Sequence, residues 1–541
     1  MENRSRLSGR ARRSQCARGD SNQRIQMYLK FRVFVDRYWI LLLLIAIKLI
    51  LQFVLVNPVY ELHRDEFLYL NQADHLAFGY ISVPPLSAII SRIIFLLGGS
   101  IFWIRFFPAL FGILTVVFTW LIVESVGGSL FARILASTAL VFSALMRINI
   151  LFQPNSFDIL TWTIIFYFLI KFIQSEKASW LFYLSVIVAV GFYNKYNLLF
   201  LITGLVISFL LTYQRRIFTN PSFWKALIIS LILLSPNIIW QIANHFPVIQ
   251  HMKVLKHNQL DNNSALGFLK SQSFFFFGSL PLTIGAIIAF VYFKPFRPYR
   301  FIGISFVTVI TLFAIMKAKD YYAVGIYPVI IAFGSVYFDS ILSKKWRLIV
   351  LPLLIGFNLF IFLITLKVIY PVYTPVEIRQ NAKAFEKLGM LRWEDGKNHD
   401  LPQDFADMLG WREMAEKSLA AYKTIPVGEL ENTLVICSNY GQAGALNYFN
   451  RAKMPDAYAF NTDYIYWLPR LKRIQNLLFV GGKPSQEVIG MFKDFKLTGS
   501  VENEYAREKN TGIYLLTGAS DFFTVVFYNK VEERKKKLDI F

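Results

Sequence analysis

The feature that most constrains this chain is a series of apolar segments, each close to the length that a helix needs to cross a bilayer. Of the 541 residues, 55% are hydrophobic, and the mean hydropathy is +0.44. The sequence therefore predicts an α-helical polytopic membrane protein with about 11 transmembrane helices. The predicted spans are Tyr38–Val56, Phe102–Val123, Leu130–Arg147, Ser156–Ile173, Trp180–Phe192, Tyr196–Tyr213, Trp224–Trp240, Ser273–Phe293, Phe301–Met316, Tyr321–Phe338 and Leu348–Ile369.

The basic residues follow the pattern of a membrane protein whose N-terminus faces the cytoplasm. The formal net charge is +22, but Lys and Arg are dispersed in short clusters between apolar segments. This pattern obeys the positive-inside rule and differs from a nucleic-acid groove, so no nucleic-acid partner is expected. Residues 1–35 form a predicted basic cytoplasmic tail. The predicted cytoplasmic connections contain Lys171, Lys177, Arg215, Arg216, Lys225, Lys294, Arg297, Arg300, Lys344, Lys345 and Arg347.

The alternate connections are predicted to face outward, and they hold most of the His, Asp, Glu, Asn and Gln residues of the first 370 positions. The longest is a first outer loop at residues 57–101, within a transmembrane domain at residues 36–370. The other outward connections are Ile148–Asn155, Asn194–Lys195, Gln241–Gln272 and Lys317–Asp320.

Residues 371–541 differ from the rest of the chain, because they are charged and contain no apolar run long enough to span a membrane. Short runs rich in β-branched and aromatic residues predict strands. We therefore expect a soluble α/β domain, which faces outward if the number of spans is odd. Its predicted elements are strands at Thr433–Ser438, Asn476–Val480, Gly512–Thr517 and Phe522–Tyr528, with a helix at Ala443–Phe449.

The first outer loop contains a dense polar cluster, His63-Arg64-Asp65-Glu66, soon after the first apolar segment. A carboxylate at the membrane surface can act as a general base toward an acceptor hydroxyl or amine. Adjacent residues of a helix cannot both face one pocket, so either Asp65 or Glu66 would do this chemistry. The alternative is that the acidic pair caps the helix that follows.

A second candidate acid, Asp158, begins a predicted span at the same predicted depth as Asp65. Two carboxylates at one level indicate one base and one orienting group, although an acid in the first turn of a helix also suits the helix dipole. The acceptor pocket is predicted to contain His63, His75 and Tyr80.

Several Lys and Arg residues on the predicted outer side depart from the positive-inside rule. Lys195 lies between two apolar segments, where it either snorkels toward the interface or binds a lipid phosphate. A second basic cluster precedes a pair of tyrosines. The predicted donor-phosphate ligands are Arg64, Lys195, Lys317, Lys319, Tyr321 and Tyr322.

Together these residues carry a family resemblance. The run Glu61-Leu-His-Arg-Asp-Glu-Phe-Leu-Tyr-Leu70, followed by His75-Leu-Ala-Phe-Gly-Tyr80 and Pro84-Pro85, resembles the first outer loop of the protein-mannosyltransferase/aminoarabinose-transferase superfamily. These are C-type membrane glycosyltransferases, and the likeness is to bacterial family 39-like members. Further motifs with this resemblance are Gln153-Pro-x-x-Phe-Asp158, Lys195-Tyr196, Lys319-Asp-Tyr-Tyr322 with Tyr327-Pro328, Asp404-Phe-Ala-Asp407-Met-x-Gly410-Trp411 and Asn439-Tyr-Gly-Gln-Ala-Gly444.

The resemblance implies a donor sugar on a polyprenyl phosphate of the undecaprenyl type, inversion at the sugar and a catalytic Asp in the first loop. Carried onto this chain, it assigns that role to Asp65, with Asp158 as second acid and Lys195 as a lipid-phosphate ligand. It also implies a bacterial inner membrane, with the active site and C-terminal domain in the periplasm. One departure is that Lys319-Asp320 stands where Gly-Lys-Pro is expected.

We therefore expect a glycosyltransferase that acts on a glycan, lipid or protein acceptor at the outer membrane face, in contact with membrane lipids. Two alternatives remain, a polytopic secondary transporter and a non-enzymatic membrane protein that binds envelope glycans. The sequence contains no nucleotide-binding motif and no paired Cys-x-x-Cys zinc spacing. No metal site is predicted, and whether the reaction uses a divalent cation stays open.

Overall fold

The computed structural model describes residue 35 and residues 37–258 and 260–537. The predicted basic tail, residues 1–35, therefore lies almost entirely outside the described residues. In chain order the helices up to Ile369 are α1 (Arg37–Val54), α2 (Arg64–Asn71), α3 (Leu86–Leu96), α4 (Ile101–Ser125), α5 (Leu130–Val141), α6 (Leu145–Ile148), α7 (Pro154–Ser175), α8 (Ala178–Asn194), α9 (Leu198–Leu210), α10 (Pro221–Ala243), α11 (Pro247–Asn258), α12 (Ala265–Phe275), α13 (Leu280–Tyr292), α14 (Arg300–Ile315), α15 (Tyr327–Ile341) and α16 (Lys344–Ile369).

Seven helices in the described part of the chain are long and apolar enough to cross a membrane, and up to nine spans result if each of two bent pairs is one span. The bends are 106° after α9 and 76° after α12. The two other predicted spans begin at α5 and α8, apolar helices of 12 and 17 residues. An α-helical membrane domain is thus confirmed, while the number eleven stays a prediction.

The two sets of predicted connections gather at opposite ends of the helices. At one end, Gln174 donates to the hydroxyl of Tyr299 and Gln214 donates to the carbonyl of Pro298, contacts that join the predicted cytoplasmic connections. At the other end, the first outer loop meets the C-terminal domain, where the Asn57 amide donates to the Pro371 carbonyl. The predicted alternation of cytoplasmic and outer connections requires the two sets to lie at opposite ends of the helices.

The C-terminal domain contains a five-stranded mixed sheet in the order β2-β1-β3-β5-β4. Strand β1 pairs in parallel with β2 and β3, and β5 runs antiparallel to both β3 and β4. Three predicted strands and the predicted helix are confirmed. The elements are α17 (Pro375–Gln380), α18 (Ala382–Lys387), α19 (Gln403–Ala406), α20 (Trp411–Tyr422), β1 (Thr433–Cys437), α21 (Tyr440–Phe449), β2 (Ala457–Ala459), α22 (Tyr464–Trp467), β3 (Asn476–Gly481), α23 (Gln486–Ile489), β4 (Phe492–Ser500), β5 (Gly512–Ala519) and α24 (Asp521–Lys537).

The predicted strand Phe522–Tyr528 is wrong, because this segment lies in α24. Phe523, Phe527 and Val531 recur at four-residue spacing and are buried in one cluster with residues of the sheet. Their spacing matches the period of a helix, and packing of that face outweighs the β-propensity of the local residues.

One hydrophobic core joins the first outer loop to the C-terminal domain. The ring of Phe67 in α2 lies 5.6 Å from that of Trp411 in α20. Helix α21 also packs on α2, and a Cβ added to Gly444 would come within 2.9 Å of the Phe67 backbone. Glycine is therefore needed for this close approach. The packing brings the first turn of α21 beside the first turn of α2, where the predicted catalytic acids lie.

Candidate active site

The first turn of α2 is built by a capping box that separates the two adjacent acids. His63 is the N-cap residue, and its Nδ1 accepts a 3.1 Å hydrogen bond from the Asp65 amide. Glu66 in turn accepts a 2.6 Å hydrogen bond from the His63 amide. Because the box turns Glu66 back into the protein, the neighbouring Asp65 points the other way.

Glu66 is fully buried and fastens the loop before α7 to the first outer loop. One carboxylate oxygen accepts a 2.6 Å hydrogen bond from the Phe152 amide and lies 3.4 Å from the Arg105 guanidinium. Its contacts are thus the cap, a backbone amide and a buried cation, which is the geometry of a group that fixes structure. A catalytic role for Glu66 stays a prediction that this geometry does not favour.

Asp65 lies in a recess, with 34% of its side chain exposed. Its Oδ1 accepts a 2.8 Å hydrogen bond from the Tyr440 hydroxyl, and its Oδ2 accepts one of 3.3 Å from the Gln153 amide. Each oxygen is therefore held by a different part of the protein, and the accessible remainder of the carboxylate can receive a proton from a bound molecule.

The surroundings of Asp65 keep it ionised. Burial alone would raise its pKa, but the neighbouring His63 and Arg64, the Tyr440 hydroxyl and Lys319 together hold the pKa of Asp65 below its ordinary value. An ionised carboxylate that is partly accessible is the state that a general base requires at neutral pH.

Arg64 and Tyr440 link this recess to the C-terminal domain. The Arg64 guanidinium lies 4.4 Å from the centroid of the Tyr440 ring, a cation–π contact. Burial raises the pKa of Tyr440 and Asp65 raises it further, while Arg64 opposes the shift. Tyr440 therefore stays protonated and donates to the carboxylate.

His63 is buried on the other side of this turn, facing two acids of the C-terminal domain. Because Nδ1 accepts from a backbone amide, a neutral His63 carries its proton on Nε2, which lies 3.7 Å from Asp407 and 3.9 Å from Asp404. Asp407 also pairs with Arg507 at 3.1 Å. The predicted acceptor-pocket residue His63 thus lies beside Asp65, as part of the domain junction.

Lys195 follows α8 and is held at the rim of the same region. Its Nζ donates a 2.8 Å hydrogen bond to Asn155 and lies 4.4 Å from the Tyr322 ring and 5.1 Å from the Tyr321 ring. Burial lowers the pKa of Lys195 to about 8, with Asp158 opposing this shift. The predicted donor ligands Lys195, Tyr321 and Tyr322 are therefore in one cluster.

Asp158 is buried within the first turns of α7 and supports that cluster. It accepts 2.9 Å hydrogen bonds from the Trp162 indole and from Asn197. Asn197 also donates to the carbonyl of Tyr322 at 2.9 Å. Both carboxylate oxygens of Asp158 thus have partners on the Lys195 side of the site, which suits the predicted orienting role more closely than that of a base.

Lys319 and Lys317 differ in position although they are two residues apart. Lys319 forms a 2.8 Å ion pair with Glu394 of the C-terminal domain, and its pKa is raised because Glu394 and Asp65 outweigh its burial. Lys317 has a φ of 50° and is exposed, and the structure does not bring it into the cluster. Of the two, Lys319 is the one whose charge lowers the pKa of Asp65.

The other two predicted pocket residues lie away from Asp65, beyond the end of α2. His75 stacks on Trp467 with ring centroids 4.3 Å apart, and the Tyr80 hydroxyl donates to the His75 carbonyl at 2.9 Å. Tyr80 and Trp467 line a cavity of about 220 Å³, together with Trp240 and Tyr466. Tyr80 therefore lines an aromatic cavity separate from the recess of Asp65, and the His75 side chain contacts the lining of that cavity through the ring of Trp467.

Sequence reasoning missed several groups that contact the predicted residues, and three of them bind Asp65 or Lys319. Tyr440, Gln153 and Glu394 each bind a side chain of the candidate site directly. Two of them lie in motifs that carry the family resemblance, Asn439–Gly444 and Gln153–Asp158, and that signal could have assigned them. Among the described residues, no three His, Cys, Asp or Glu side chains are grouped so that they could hold a metal ion.

The chain is similar to one known protein family and to solved structures. Residues 82–240 match the family model described as dolichyl-phosphate-mannose-protein mannosyltransferase. No curated protein sequence matches the chain significantly. The structure of ArnT from Cupriavidus metallidurans bound to undecaprenyl phosphate is similar, with a TM-score of 0.59 and 13% identity over 88% of this chain and 97% of that chain. The apo state of ArnT from the same organism gives a TM-score of 0.59 and 13% identity over 89% and 98%.

Structural similarity at 13% identity establishes a shared fold. The family match adds a sequence pattern over residues 82–240, a range that includes Asp158 and Lys195 and begins after Asp65. The chain is thus an integral membrane protein with the C-type glycosyltransferase fold, and the predicted resemblance to the protein-mannosyltransferase/aminoarabinose-transferase family is confirmed.

Proposed function

We propose that this protein is an inverting glycosyltransferase that moves a sugar from a polyprenyl-phosphate-linked donor to an acceptor. The match to a mannosyltransferase family supports a transferase, and the likeness to an ArnT structure bound to undecaprenyl phosphate supports a lipid-phosphate donor. The family match favours this enzyme over a secondary transporter or a non-enzymatic glycan-binding protein. The acceptor class, whether glycan, lipid or protein, is left open.

The location that we propose is the outer face of a bacterial inner membrane. The first outer loop and residues 371–537 lie at one end of the helices and share a core, while the basic connections lie at the other end. With the basic end in the cytoplasm, the C-terminal domain and the recess of Asp65 face the periplasm.

The reaction uses Asp65 as the general base. Its carboxylate accepts the proton of the acceptor hydroxyl, and the acceptor oxygen bonds to the anomeric carbon from the side opposite the phosphate. The bond from that carbon to the phosphate oxygen breaks, and the electron pair leaves with the polyprenyl phosphate. Attack from the opposite side inverts the anomeric configuration, and Asp65 then releases its proton to solvent.

Lys195 and Lys319 stabilise the donor phosphate in this scheme. A phosphate monoester is already a good leaving group, so cations at its oxygens need only stabilise the charge that develops as the bond breaks. Lys195 has two ammonium protons left after its bond to Asn155, and these can contact the phosphate. Asp158 keeps the side chains around Lys195 in place.

The observation that carries the proposal is the ionised, partly exposed Asp65, held at both oxygens beside a cationic cluster in this fold. The test supplies purified protein with a panel of polyprenyl-phosphate-linked pentoses and hexoses, adds an extract of envelope glycans, lipids and proteins as acceptors, and measures free polyprenyl phosphate. We expect release by the wild type and loss of release in Asp65→Asn. Movement of intact lipid-linked sugar across a vesicle membrane would support the transporter, and binding without release would support the glycan-binding protein.

A further inference from the structure

A continuous chain of hydrogen bonds joins Lys195 to Asp65 through two amide side chains. Lys195 Nζ donates to Asn155 Oδ1 at 2.8 Å, and Asn155 Nδ2 donates to Gln153 Oε1 at 2.9 Å. Gln153 Nε2 then donates to Asp65 Oδ2 at 3.3 Å. The reaction proposed above gives neither amide a role, although the two lie between its base and its phosphate ligand.

The direction of donation along this chain of hydrogen bonds is fixed by the two charged groups at its ends. A lysine ammonium can only donate hydrogen bonds, and an ionised carboxylate can only accept them. Both amides must therefore present their oxygen toward Lys195 and their nitrogen toward Asp65. Their dipoles align head to tail between a positive and a negative charge, an arrangement in which each hydrogen bond strengthens the next.

The backbone holds the two amides rigidly. Gln153 is the N-cap residue of α7, Pro154 occupies the first helical position, and Asn155 follows. Proline fixes its own φ and restricts the preceding residue, so the spacing between the two side chains is set before any ligand binds. At its ends the chain is held by Tyr440, which donates to Asp65, and by the ring of Tyr322 beside Lys195.

We infer that Gln153 and Asn155 are positioning residues that couple the donor-phosphate site at Lys195 to the carboxylate of Asp65. The inference rests on the proposed function. When a lipid phosphate binds Lys195, its negative charge partly neutralises the ammonium group. The hydrogen bonds from Lys195 through Asn155 and Gln153 to Asp65 then weaken, and Asp65 becomes more basic. The base is thus strengthened by the arrival of the donor. By reciprocity, an ionised Asp65 opposes phosphate binding at Lys195 through the same chain.

The test is a set of double-mutant cycles on lipid-phosphate binding, which needs no turnover. The affinity of the full-length protein in nanodiscs for undecaprenyl phosphate is measured with and without Asp65→Asn. We expect Asp65→Asn to tighten binding by roughly fivefold or more, the lower end of usual coupling between sites. In a Gln153→Met background, which keeps the side-chain length without the amide, we expect the same change to have less than about a twofold effect.

Two further backgrounds distinguish the chain from other causes. Asn155→Leu breaks a different link and should also remove the effect of Asp65→Asn. Tyr440→Phe removes the other hydrogen bond to Asp65 and leaves the chain intact, so the effect should persist. Equal tightening in the wild-type and Gln153→Met backgrounds would show direct attraction through space and overturn the inference. Absence of binding in the wild type would instead overturn the proposed donor site.

Discussion

The hydroxyl of Tyr440 donates a 2.8 Å hydrogen bond to Oδ1 of Asp65, across 375 positions of the sequence. The C-terminal domain therefore contributes directly to the recess in the first outer loop, and it does so from the first residue of α21. The same tyrosine ring lies beneath the Arg64 guanidinium. Docking of the C-terminal domain thus sets both the orientation and the electrostatic surroundings of the proposed base.

We expect Tyr440→Phe to move the acid limb of the pH–rate profile to higher pH. The Tyr440 hydrogen bond lowers the pKa of Asp65, so its loss raises that pKa and the base is protonated at a higher pH. A hydrogen bond to a charged group contributes about 1.5–3 kcal/mol, which corresponds to a shift of roughly one unit or more. Phenylalanine keeps the ring beneath Arg64, so thermal unfolding should change little. An unshifted acid limb would show that the hydroxyl does not tune the base.

Asp65→Asn should abolish most of the sugar transfer while leaving the fold intact. The amide keeps the size of the side chain, and its oxygen can still accept from Gln153 while its nitrogen donates to the Tyr440 hydroxyl oxygen, but it cannot take a proton from the acceptor. General-base assistance contributes about 10²–10⁴-fold, so turnover should fall by at least the lower figure. The measurement is release of polyprenyl phosphate at saturating donor, with thermal unfolding of the same sample. Near-normal turnover would remove the main support for the enzyme.

Glu66→Gln is the matched change at the adjacent position, and we expect it to act on stability. Its amide nitrogen must face the His63 amide or the Phe152 amide, each a donor, and Arg105 loses its buried counter-ion. Breaking a buried ion pair costs about 3–5 kcal/mol, so the melting temperature should fall clearly. If Glu66→Gln instead folds normally and loses turnover, the role of base belongs to Glu66.

Asp65 and Glu66 show which features of the fold and site can be predicted from the sequence and which cannot. Apolar spans and the three confirmed strands depend on local patterns, which the sequence displays directly. Which of two adjacent acids faces the recess depends on the rotation of α2, and that is set by the side chain of His63 as N-cap. The contact with Tyr440 depends on the docking of a domain hundreds of residues later, which no local pattern encodes. The strand predicted at Phe522–Tyr528 failed for a related reason, since tertiary packing decided its conformation.

Glu61 fastens the C-terminal domain to the first outer loop, and Glu61→Gln should loosen this contact. Its carboxylate accepts hydrogen bonds of 2.7 Å from the Trp411 amide and 3.2 Å from the Arg412 amide, at the N-terminus of α20. A negative charge at this position stabilises a helix by up to about 1–2 kcal/mol. We expect a lower melting temperature and faster proteolysis between the domains. Glu386→Gln, at an exposed position of α18, is the control and should change neither; an equal effect there would assign the change to net charge.

Lys195→Met should weaken binding of the lipid donor, because it removes a cation that the structure holds beside two tyrosine rings and Asn155. Loss of a charge-assisted hydrogen bond costs about 1.5–3 kcal/mol, or roughly a 10- to 150-fold rise in Kd for undecaprenyl phosphate. The matched change is Lys317→Met, since Lys317 was also a predicted ligand but is exposed outside the cluster. We expect its Kd to stay within about twofold of the wild type, because an exposed charge is screened by salt. Unchanged affinity in Lys195→Met would identify Lys195 as a snorkelling side chain, and an equal loss in both variants would mean that the donor responds to the overall positive charge of this face.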